Sequence, residues 1–382
     1  MAGALSPLSF YIHIPYCLKR CGYCDFNTYT PSELRSGGDL ASVSDGYIDL
    51  LIQECVFTPD AGSIPTIFFG GGTPTLMEPA DLGRLLGHLE SRFGFAKDIE
   101  ITIEANPDTV TEEKLLQLRH VGINRVSFGM QSSNPKVLQI LDRTHIPENV
   151  FKATEWARSA GFEHVSVDLI YGSPSETMAD WQSSVETALA LPIDHISAYA
   201  LIVEEGTKLA GQVRRGEVVM PDEDETADKY LLVDELASAA GFSWYELSNW
   251  SKPGGECRHN IAYWHGKNWW GLGPGAHSHL DGRRWWNVKH PNAYREKLSL
   301  GQSPLHGEEV LTVEESEEER LMLNIRLPLG LPLESLSTLQ VQALAPYLES
   351  GHIDASSWDG GRVTLTRSGR LIADRIVREI LL

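Results

Sequence analysis

Three of the five cysteines in this chain lie close together, at Cys17, Cys21 and Cys24 in the segment YIHIPYCLKRCGYCDFNT. On a loop that follows a strand, this spacing brings three thiolates to one place. An iron–sulfur cluster bound by only three cysteines keeps one iron open to a small molecule. A structural zinc site normally takes four ligands, and Cys55 falls in a predicted helix. The triplet therefore favours a cluster with an open iron, with zinc as the alternative.

Strand-like and helix-like segments alternate from residue 10 to about residue 203, and they must position this loop. Short apolar or alternating runs predict six strands, at 10–15, 66–70, 99–105, 125–130, 164–172 and 195–203. Helical patterns with capping residues lie between them. Because such repeats are typical of parallel strands with crossover helices, we expect an α/β fold built on a partial (β/α)6 barrel. Chemistry in such a barrel lies at the C-terminal ends of the strands.

Polar or glycine-rich residues follow five successive predicted strands. After the cysteines, these residues are Gly71, Gly72 and Thr73 in GGGTPT, then Glu104, Gln131 and Asp168. Glycine permits a positive φ and a close backbone approach to a ligand, although a tight turn would also use it. A carboxylate at such a strand end accepts hydrogen bonds from ribose or amino groups, unless it pairs with a neighbouring arginine.

The composition of the chain changes after the predicted barrel, so we expect three parts, at 1–205, 206–305 and 306–382. The middle part holds an acidic helix and a Trp- and Gly-rich stretch. The last part has two helical patterns, a tight turn, a strand and a final amphipathic helix, which predict a winged-helix-like α+β module. Arg367 and Arg370 fall in its predicted turn. The acidic balance of the chain favours a stabilising or docking role for this module over DNA recognition.

Charge and composition exclude several classes of protein. The net charge of −20 argues against a nucleic-acid-binding surface. The sequence lacks an apolar run long enough to span a membrane, which leaves peripheral membrane contact open. The N-terminus lacks the pattern of a signal peptide, and an odd, clustered set of cysteines argues against a disulfide framework. We expect a cytoplasmic protein.

The CxxxCxxC spacing and the glycine loop one strand later resemble the radical S-adenosylmethionine (SAM) superfamily. The resemblance implies a 4Fe–4S cluster on the three clustered cysteines, with SAM bound at the open iron. Reductive cleavage of SAM in that superfamily makes a 5′-deoxyadenosyl radical, and the protein orients the cofactor. The residues that this resemblance assigns to SAM are Tyr11, Tyr23, Gly71, Gly72, Thr73, Glu104, Gln131, Arg143 and Asp168.

Further motifs resemble one subfamily, the oxygen-independent coproporphyrinogen III dehydrogenases and their relatives. These motifs are SFGMQS, ILDRTH and SVDLIYGSP, together with Tyr11 in YIHIP, and the similarity runs through most of the chain. The true dehydrogenases carry a further cysteine two positions after the third. Phe26 stands at that position here, which argues against decarboxylation of a porphyrinogen.

The segment HNIAYW at residues 259–264 is similar to the HNxxYW motif of the haem chaperone branch of this family. The similarity implies haem binding through His259, Asn260, Tyr263 and Trp264. A neutral histidine is an ordinary axial ligand of haem iron, and aromatic side chains offer flat apolar surface to a macrocycle. Taken alone, the same residues could be core aromatics around a hydrogen-bonded histidine. Other candidate ligands in the stretch are His265, His277, His279 and Cys257.

These observations predict a haem chaperone that carries a 4Fe–4S cluster and SAM and passes haem to an acceptor haem protein, such as a respiratory enzyme. One alternative is a coproporphyrinogen III dehydrogenase of porphyrin biosynthesis, which oxidatively decarboxylates its substrate. Another is a tRNA-modifying radical SAM enzyme, which would need a basic face. Whether SAM is cleaved or only bound stays open, because binding residues and radical chemistry are separable.

Overall fold

The computed structural model describes residues 5–34, 44–143 and 145–381. The strands are β1 (Ser9–Ile14), β2 (Ile64–Gly71), β3 (Phe95–Ala105), β4 (Arg125–Gln131), β5 (His164–Tyr171), β6 (His195–Ala200), β7 (Ser243–Glu246), β8 (Asn249–Ser251), β9 (Trp269–Leu272), β10 (His277–Leu280), β11 (Arg283–Asn287), β12 (Leu305–Val310), β13 (Leu331–Pro332) and β14 (Arg362–Val363).

The helices are α1 (Tyr47–Glu54), α2 (Pro79–Phe93), α3 (Glu112–His120), α4 (Pro135–Ile140), α5 (Pro147–Ser159), α6 (Met178–Leu189), α7 (Lys208–Arg214), α8 (Glu223–Ala239), α9 (Arg258–Trp264), α10 (Pro291–Ser299), α11 (Val313–Asn324), α12 (Thr338–Glu349), α13 (Ala355–Asp359), α14 (Arg367–Leu371) and α15 (Ala373–Ile380). Within the described ranges, none of them combines the length and the apolar character that crossing a lipid bilayer requires.

Strands β1 to β6 lie side by side in chain order, and each is parallel to the next. Helices α1 to α6 lie between them along the chain. Apolar residues of the strands and the helices, such as Phe10, Ile67 and Leu85, are buried in one shared core. The prediction of six parallel strands with crossover helices is therefore confirmed, and the C-terminal strand ends lie along one edge.

The Trp- and Gly-rich part of the chain, for which the sequence predicted no strands, extends this sheet at both edges. On one side β9 pairs in parallel with β1, and β10, β11 and β12 follow in antiparallel order. On the other side β8 pairs with β6, and β7 pairs with β8, both antiparallel. The sheet thus continues past the predicted boundary at residue 205. The three predicted domain ranges stay predictions.

The last part of the chain has a separate apolar core, formed by α11, α12, α13 and α15 with the short β13–β14 pair. The sequence placed Arg367 and Arg370 in a turn, which is wrong, because both lie within α14. Arg370 donates to both carboxylate oxygens of Asp234 in α8 at 3.0 Å, and Arg367 lies 2.5 Å from the same carboxylate. These ion pairs fix the module to the middle of the chain. Its winged-helix likeness stays a prediction.

Candidate functional site

The loop that carries the three cysteines leaves the end of β1 and closes on itself at Tyr29. The Cys17 N–H donates to the Tyr29 carbonyl at 3.1 Å, and the Cys24 N–H donates to the Cys21 carbonyl at 3.2 Å. All three cysteines are free thiols. They line a cavity of about 570 Å³ at the C-terminal ends of the parallel strands, which we call the cysteine cavity.

The surroundings of the thiols fit a cluster. Burial raises the pKa of Cys17 to about 11, and the nearby Cys24 and Cys21 act in the same direction. The metal-free thiol is therefore protonated at neutral pH, so metal binding would release its proton. In the part of the chain that the structure describes, no three His, Cys, Asp or Glu side chains meet at a point suited to a single metal ion. A structural zinc ion normally takes four protein ligands, whereas a cluster takes each of the three thiolates at a different iron.

The glycine loop after β2 lies directly against the cysteine loop. The Thr73 N–H donates to the Tyr16 carbonyl at 2.9 Å. A Cβ on Gly72 would lie 2.5 Å from that carbonyl oxygen and 3.0 Å from the Cys17 sulfur, and Gly71 has a φ of +110°. Any larger residue at Gly72 would push the two loops apart. The glycines are therefore required by this packing, and both also line the cysteine cavity.

Two half-buried carboxyl groups face the cysteine cavity from β3 and β5. Burial raises the pKa of Glu104 to about 8, with a further contribution from Asp168. Glu104 accepts a hydrogen bond from the Gly71 N–H at 3.1 Å. Asp168 accepts one from the Ser127 hydroxyl at 2.9 Å. A protonated carboxyl group keeps acceptor capacity beside its O–H donor, so Glu104 can also hydrogen-bond a bound ligand.

Arg143 joins the end of β4 to the cysteine loop. Its guanidinium donates to the Gly129 carbonyl at 2.8 Å and to the Cys21 sulfur at 3.5 Å. Gln131 ends β4 in a left-handed conformation, with a φ of 63°. The Arg143 guanidinium therefore places a positive charge beside the Cys21 sulfur.

The structure brings together eight of the nine residues that the resemblance assigned to SAM. The cysteine cavity is lined by Tyr23, Gly71, Gly72, Thr73, Glu104, Gln131, Arg143 and Asp168. Tyr11 instead lines the neighbouring cavity, and its hydroxyl is hydrogen-bonded to Nδ1 of His13 at 3.0 Å. The roles of all nine residues toward SAM stay predictions.

Sequence reasoning missed several side chains of the cysteine cavity, including Ser127, Ser197 and Tyr199. Alternation along the strands was a signal that could have found them. Ser127 lies four residues before Gln131 on β4, and Ser197 and Tyr199 lie two apart on β6. Residues two or four apart on a strand face the same side of the sheet.

A second cavity of about 660 Å³ adjoins the first, and we call it the edge cavity. It lies between the cysteine loop, strands β9 and β10, and α11. Phe26, Gly71 and Glu104 line both cavities. The remaining side chains of the edge cavity include four aromatic or thioether groups, which are Tyr11, Tyr263, Trp269 and Met322.

The HNIAYW motif forms α9 and contributes to both cavities. Asn260 lines the cysteine cavity, and Tyr263 lines the edge cavity. The carbonyl of Trp264 accepts a hydrogen bond from Asn324 of α11 at 3.3 Å. The motif therefore stands between the two cavities and also holds the C-terminal module.

His259 itself is buried, with 1% of its surface exposed. Its Nδ1 lies 2.7 Å from the Thr66 hydroxyl, and its Nε2 lies 2.9 Å from the Tyr263 hydroxyl. The Thr66 hydroxyl donates to Ser9, so it accepts from Nδ1–H, and Nε2 accepts from Tyr263. Burial lowers the pKa of His259 to about 3, so the ring is neutral. In this arrangement both ring nitrogens are already hydrogen-bonded.

Comparison with known proteins identifies the family. The model of the Radical SAM superfamily matches residues 11–188. The chain is 47% identical over 379 residues to "Heme chaperone HemW" of Mycobacterium tuberculosis, which covers 98% of this chain and 95% of that protein. The chain belongs to the HemW family. HemW of Bacillus subtilis is 34% identical over 383 residues, covering 96% of this chain and 97% of its own.

A solved structure supports the fold of this HemW-family chain. Coproporphyrinogen III oxidase (HemN) from Escherichia coli superimposes with a TM-score of 0.82 and 24% identity, covering 98% of this chain and 90% of that chain. At this identity the likeness shows the fold alone. The predicted fold class is confirmed. A radical SAM domain implies a 4Fe–4S cluster and SAM, and the three thiols of the cysteine cavity suit the cluster.

Proposed function

We propose that this chain is a haem chaperone, which binds haem and transfers it to an acceptor haem protein. The observation that carries the proposal is its similarity, over nearly the whole chain, to proteins named heme chaperone HemW. An aromatic cavity beside the cysteine loop supports the proposal, because it offers apolar surface to a macrocycle. The acceptor is a haem protein, for example a respiratory enzyme. The cytoplasmic location stays a prediction.

In this proposal Cys17, Cys21 and Cys24 hold a 4Fe–4S cluster, and SAM occupies the cysteine cavity. When bound, the cluster and SAM together supply reducing and radical chemistry. The chain itself supplies orientation and charge. Glu104 accepts hydrogen bonds from the ligand, and Arg143 places a positive charge beside the Cys21 sulfur.

Haem occupies the edge cavity, next to the cluster. Phe26 lines both cavities and has 62% of its surface exposed. At this position the dehydrogenases of the family carry a cysteine, so the chain offers an apolar wall where they have a thiol. The residue supports haem binding over porphyrinogen turnover.

An anaerobic reconstitution of the cluster in the full chain tests the proposal. The measurements are iron per chain, the absorbance change on haemin titration, and product formation from coproporphyrinogen III with SAM and a reductant. We expect about four iron atoms per chain, stoichiometric haem binding, and no protoporphyrinogen. Sustained conversion of coproporphyrinogen would instead assign the chain to the dehydrogenases.

Two cysteine variants provide matched controls for the metal. Cys24→Ser removes one thiolate of the loop and should lose the cluster. Cys55→Ser changes a buried thiol that hydrogen-bonds the Leu51 carbonyl at 3.3 Å, away from the loop, and should keep the iron of the parent protein. Equal iron loss in both variants, or zinc in place of iron in the parent protein, would contradict the assignment of the cluster.

A further inference from the structure

The edge cavity contains three histidines, and their rings differ in what they already bind. These histidines are His13, His277 and His279. An axial ligand of haem needs a ring nitrogen with a free lone pair. The hydrogen bonds of each ring therefore decide which histidine can serve.

His13 and His279 have both ring nitrogens occupied. His13 is bonded to the Tyr11 hydroxyl at 3.0 Å and donates to the Asn27 carbonyl at 2.9 Å. His279 lies 3.2 Å from the Lys267 carbonyl through Nδ1, and its Nε2 accepts the Gly282 N–H at 3.1 Å. His259 is not among the residues that line the edge cavity. Both nitrogens of its ring are likewise hydrogen-bonded, to Thr66 and Tyr263.

His277 is different. It begins β10, and its side chain is exposed and lines the edge cavity. Its ring lies nearly parallel to the Trp286 ring, at a centroid distance of 5.7 Å and an angle of 24°. Among the hydrogen bonds of the described residues, none involves a ring nitrogen of His277. A flat aromatic support therefore holds a ring whose nitrogens are available.

The side chains that line the edge cavity include two carboxyl groups, Glu104 and Glu319, and two cations. The cations are Lys289 and Arg284. Arg284 is already paired with Glu309 at 2.8 Å and with Glu319. Over the described ranges, no ion pair of Lys289 is found, and its side chain is exposed. Lys289 is therefore the cation at the rim that is available to a propionate.

We propose that His277, rather than His259, is the axial ligand of haem iron in the edge cavity, and that Lys289 binds a haem propionate. The inference rests on the proposed function, since it names the site of that haem. The volume of about 660 Å³ lies in the range of small-molecule pockets. In this arrangement His259 is a positioning residue. It holds Tyr263 in the wall of the edge cavity through the hydrogen bond to the Tyr263 hydroxyl, and it does not touch the iron.

Haemin titrations of the full chain test the ligand. The variants are His277→Ala, His259→Ala, and His120→Ala as a control at the exposed end of α3. We expect His277→Ala to weaken binding at least about tenfold, the loss typical of a damaged metal site, and to shift the Soret band. Added imidazole should restore the band. His120→Ala should bind like the parent chain.

A second comparison tests the propionate. Lys289→Glu should weaken haemin binding by more than the roughly two- to fivefold that an exposed ion pair contributes, because it also adds a repelling charge. It should leave the binding of haemin dimethyl ester unchanged, because the ester has no carboxylates. An equal loss for both ligands would contradict the role of Lys289.

Three outcomes are distinguishable. If the parent chain binds no haem, the proposed function fails. If the parent chain binds haem and His277→Ala binds it with the same affinity and spectrum, the inference alone fails. If His259→Ala loses the iron-ligand spectrum while its thermal unfolding is unchanged and imidazole restores the band, His259 is the ligand and the inference is overturned.

Discussion

The contact between the glycine loop and the cysteine loop leads to a sharp prediction for Gly72→Ala. The added Cβ would lie 2.5 Å from the Tyr16 carbonyl oxygen, well inside ordinary van der Waals contact, and 3.0 Å from the Cys17 sulfur. The first neighbour is backbone, so the strain cannot be relieved by a side-chain rotation. Overpacking of this kind costs about 1–3 kcal/mol. It must move the cysteine loop, the glycine loop, or both.

We therefore expect Gly72→Ala to retain less iron after reconstitution and to unfold at a lower temperature than the parent chain. The assay is iron content per chain, together with thermal unfolding of the metal-free protein. Gly87→Ala is the matched control, because a Cβ there meets nothing within 4 Å. In the exposed middle of α2, alanine should stabilise the chain by roughly 0.5–1 kcal/mol.

The reasoning would be refuted if Gly72→Ala kept its full iron content and unfolded at the same temperature as the parent. It would also be refuted if Gly87→Ala lost iron to the same extent, since the loss would then not depend on contact with the cysteine loop.

Three further predictions concern ionisable side chains that are partly or fully shielded from solvent. Burial raises the pKa of Glu104 to about 8, so the carboxyl of the parent chain ionises between pH 7 and pH 9. The loss of SAM affinity in Glu104→Gln should therefore grow over this pH range. A loss that stays constant with pH would contradict this. Burial opposes ionisation of Asp194, but hydrogen bonds, with His164 the largest, lower its pKa to about 2. Asp194→Asn should therefore destabilise the metal-free chain by about 2 kcal/mol at pH 7. Denaturant titrations should find this difference shrinking as the pH falls from 4 toward 2. Arg370→Ala removes one of the cations that balance the negative charge of the buried Asp234, and should lower the free energy of unfolding by about 3 kcal/mol. Thermal unfolding and faster proteolysis of the C-terminal module measure this loss. An unchanged melting temperature would contradict it.

The parallel strands and the cysteine loop were predictable because their determinants are local. Each strand from β1 to β6 is a short apolar run between helical patterns. The spacing of Cys17, Cys21 and Cys24 is contained in eight residues. Glu104 lies next to the last residue of β3, and Asp168 lies in the C-terminal half of β5. The sequence places both strands in the same sheet, so the meeting of the two side chains followed from the topology.

The extension of the sheet was not predictable in the same way. Strands β7 to β11 are three to five residues long, which is too short for a clear alternation of apolar and polar residues. Their pairing depends on β1 and β6, which lie far away in the sequence. The edge cavity is built partly from these strands, so its outline required the structure.

The burial of His259 also required tertiary contacts. The motif HNIAYW indicates a histidine that binds something, and the structure identifies Thr66 and Tyr263 as partners of its ring. Thr66 lies 193 residues away in the chain, so no local pattern reveals the contact. His277 was one of several histidines in the sequence. The structure distinguishes it because the rings of His13, His259 and His279 are already hydrogen-bonded through both nitrogens.

Directed transfer of haem tests the central claim most directly. The haem-loaded full chain is mixed with the apo form of a haem-requiring respiratory enzyme, and in parallel with apomyoglobin, which captures only haem that has dissociated. The arrival of haem is followed by the absorbance of each acceptor. The account predicts transfer to the respiratory enzyme that accelerates with its concentration and exceeds the rate to apomyoglobin. Equal, concentration-independent rates to both acceptors would contradict it, because the chain would then only release haem.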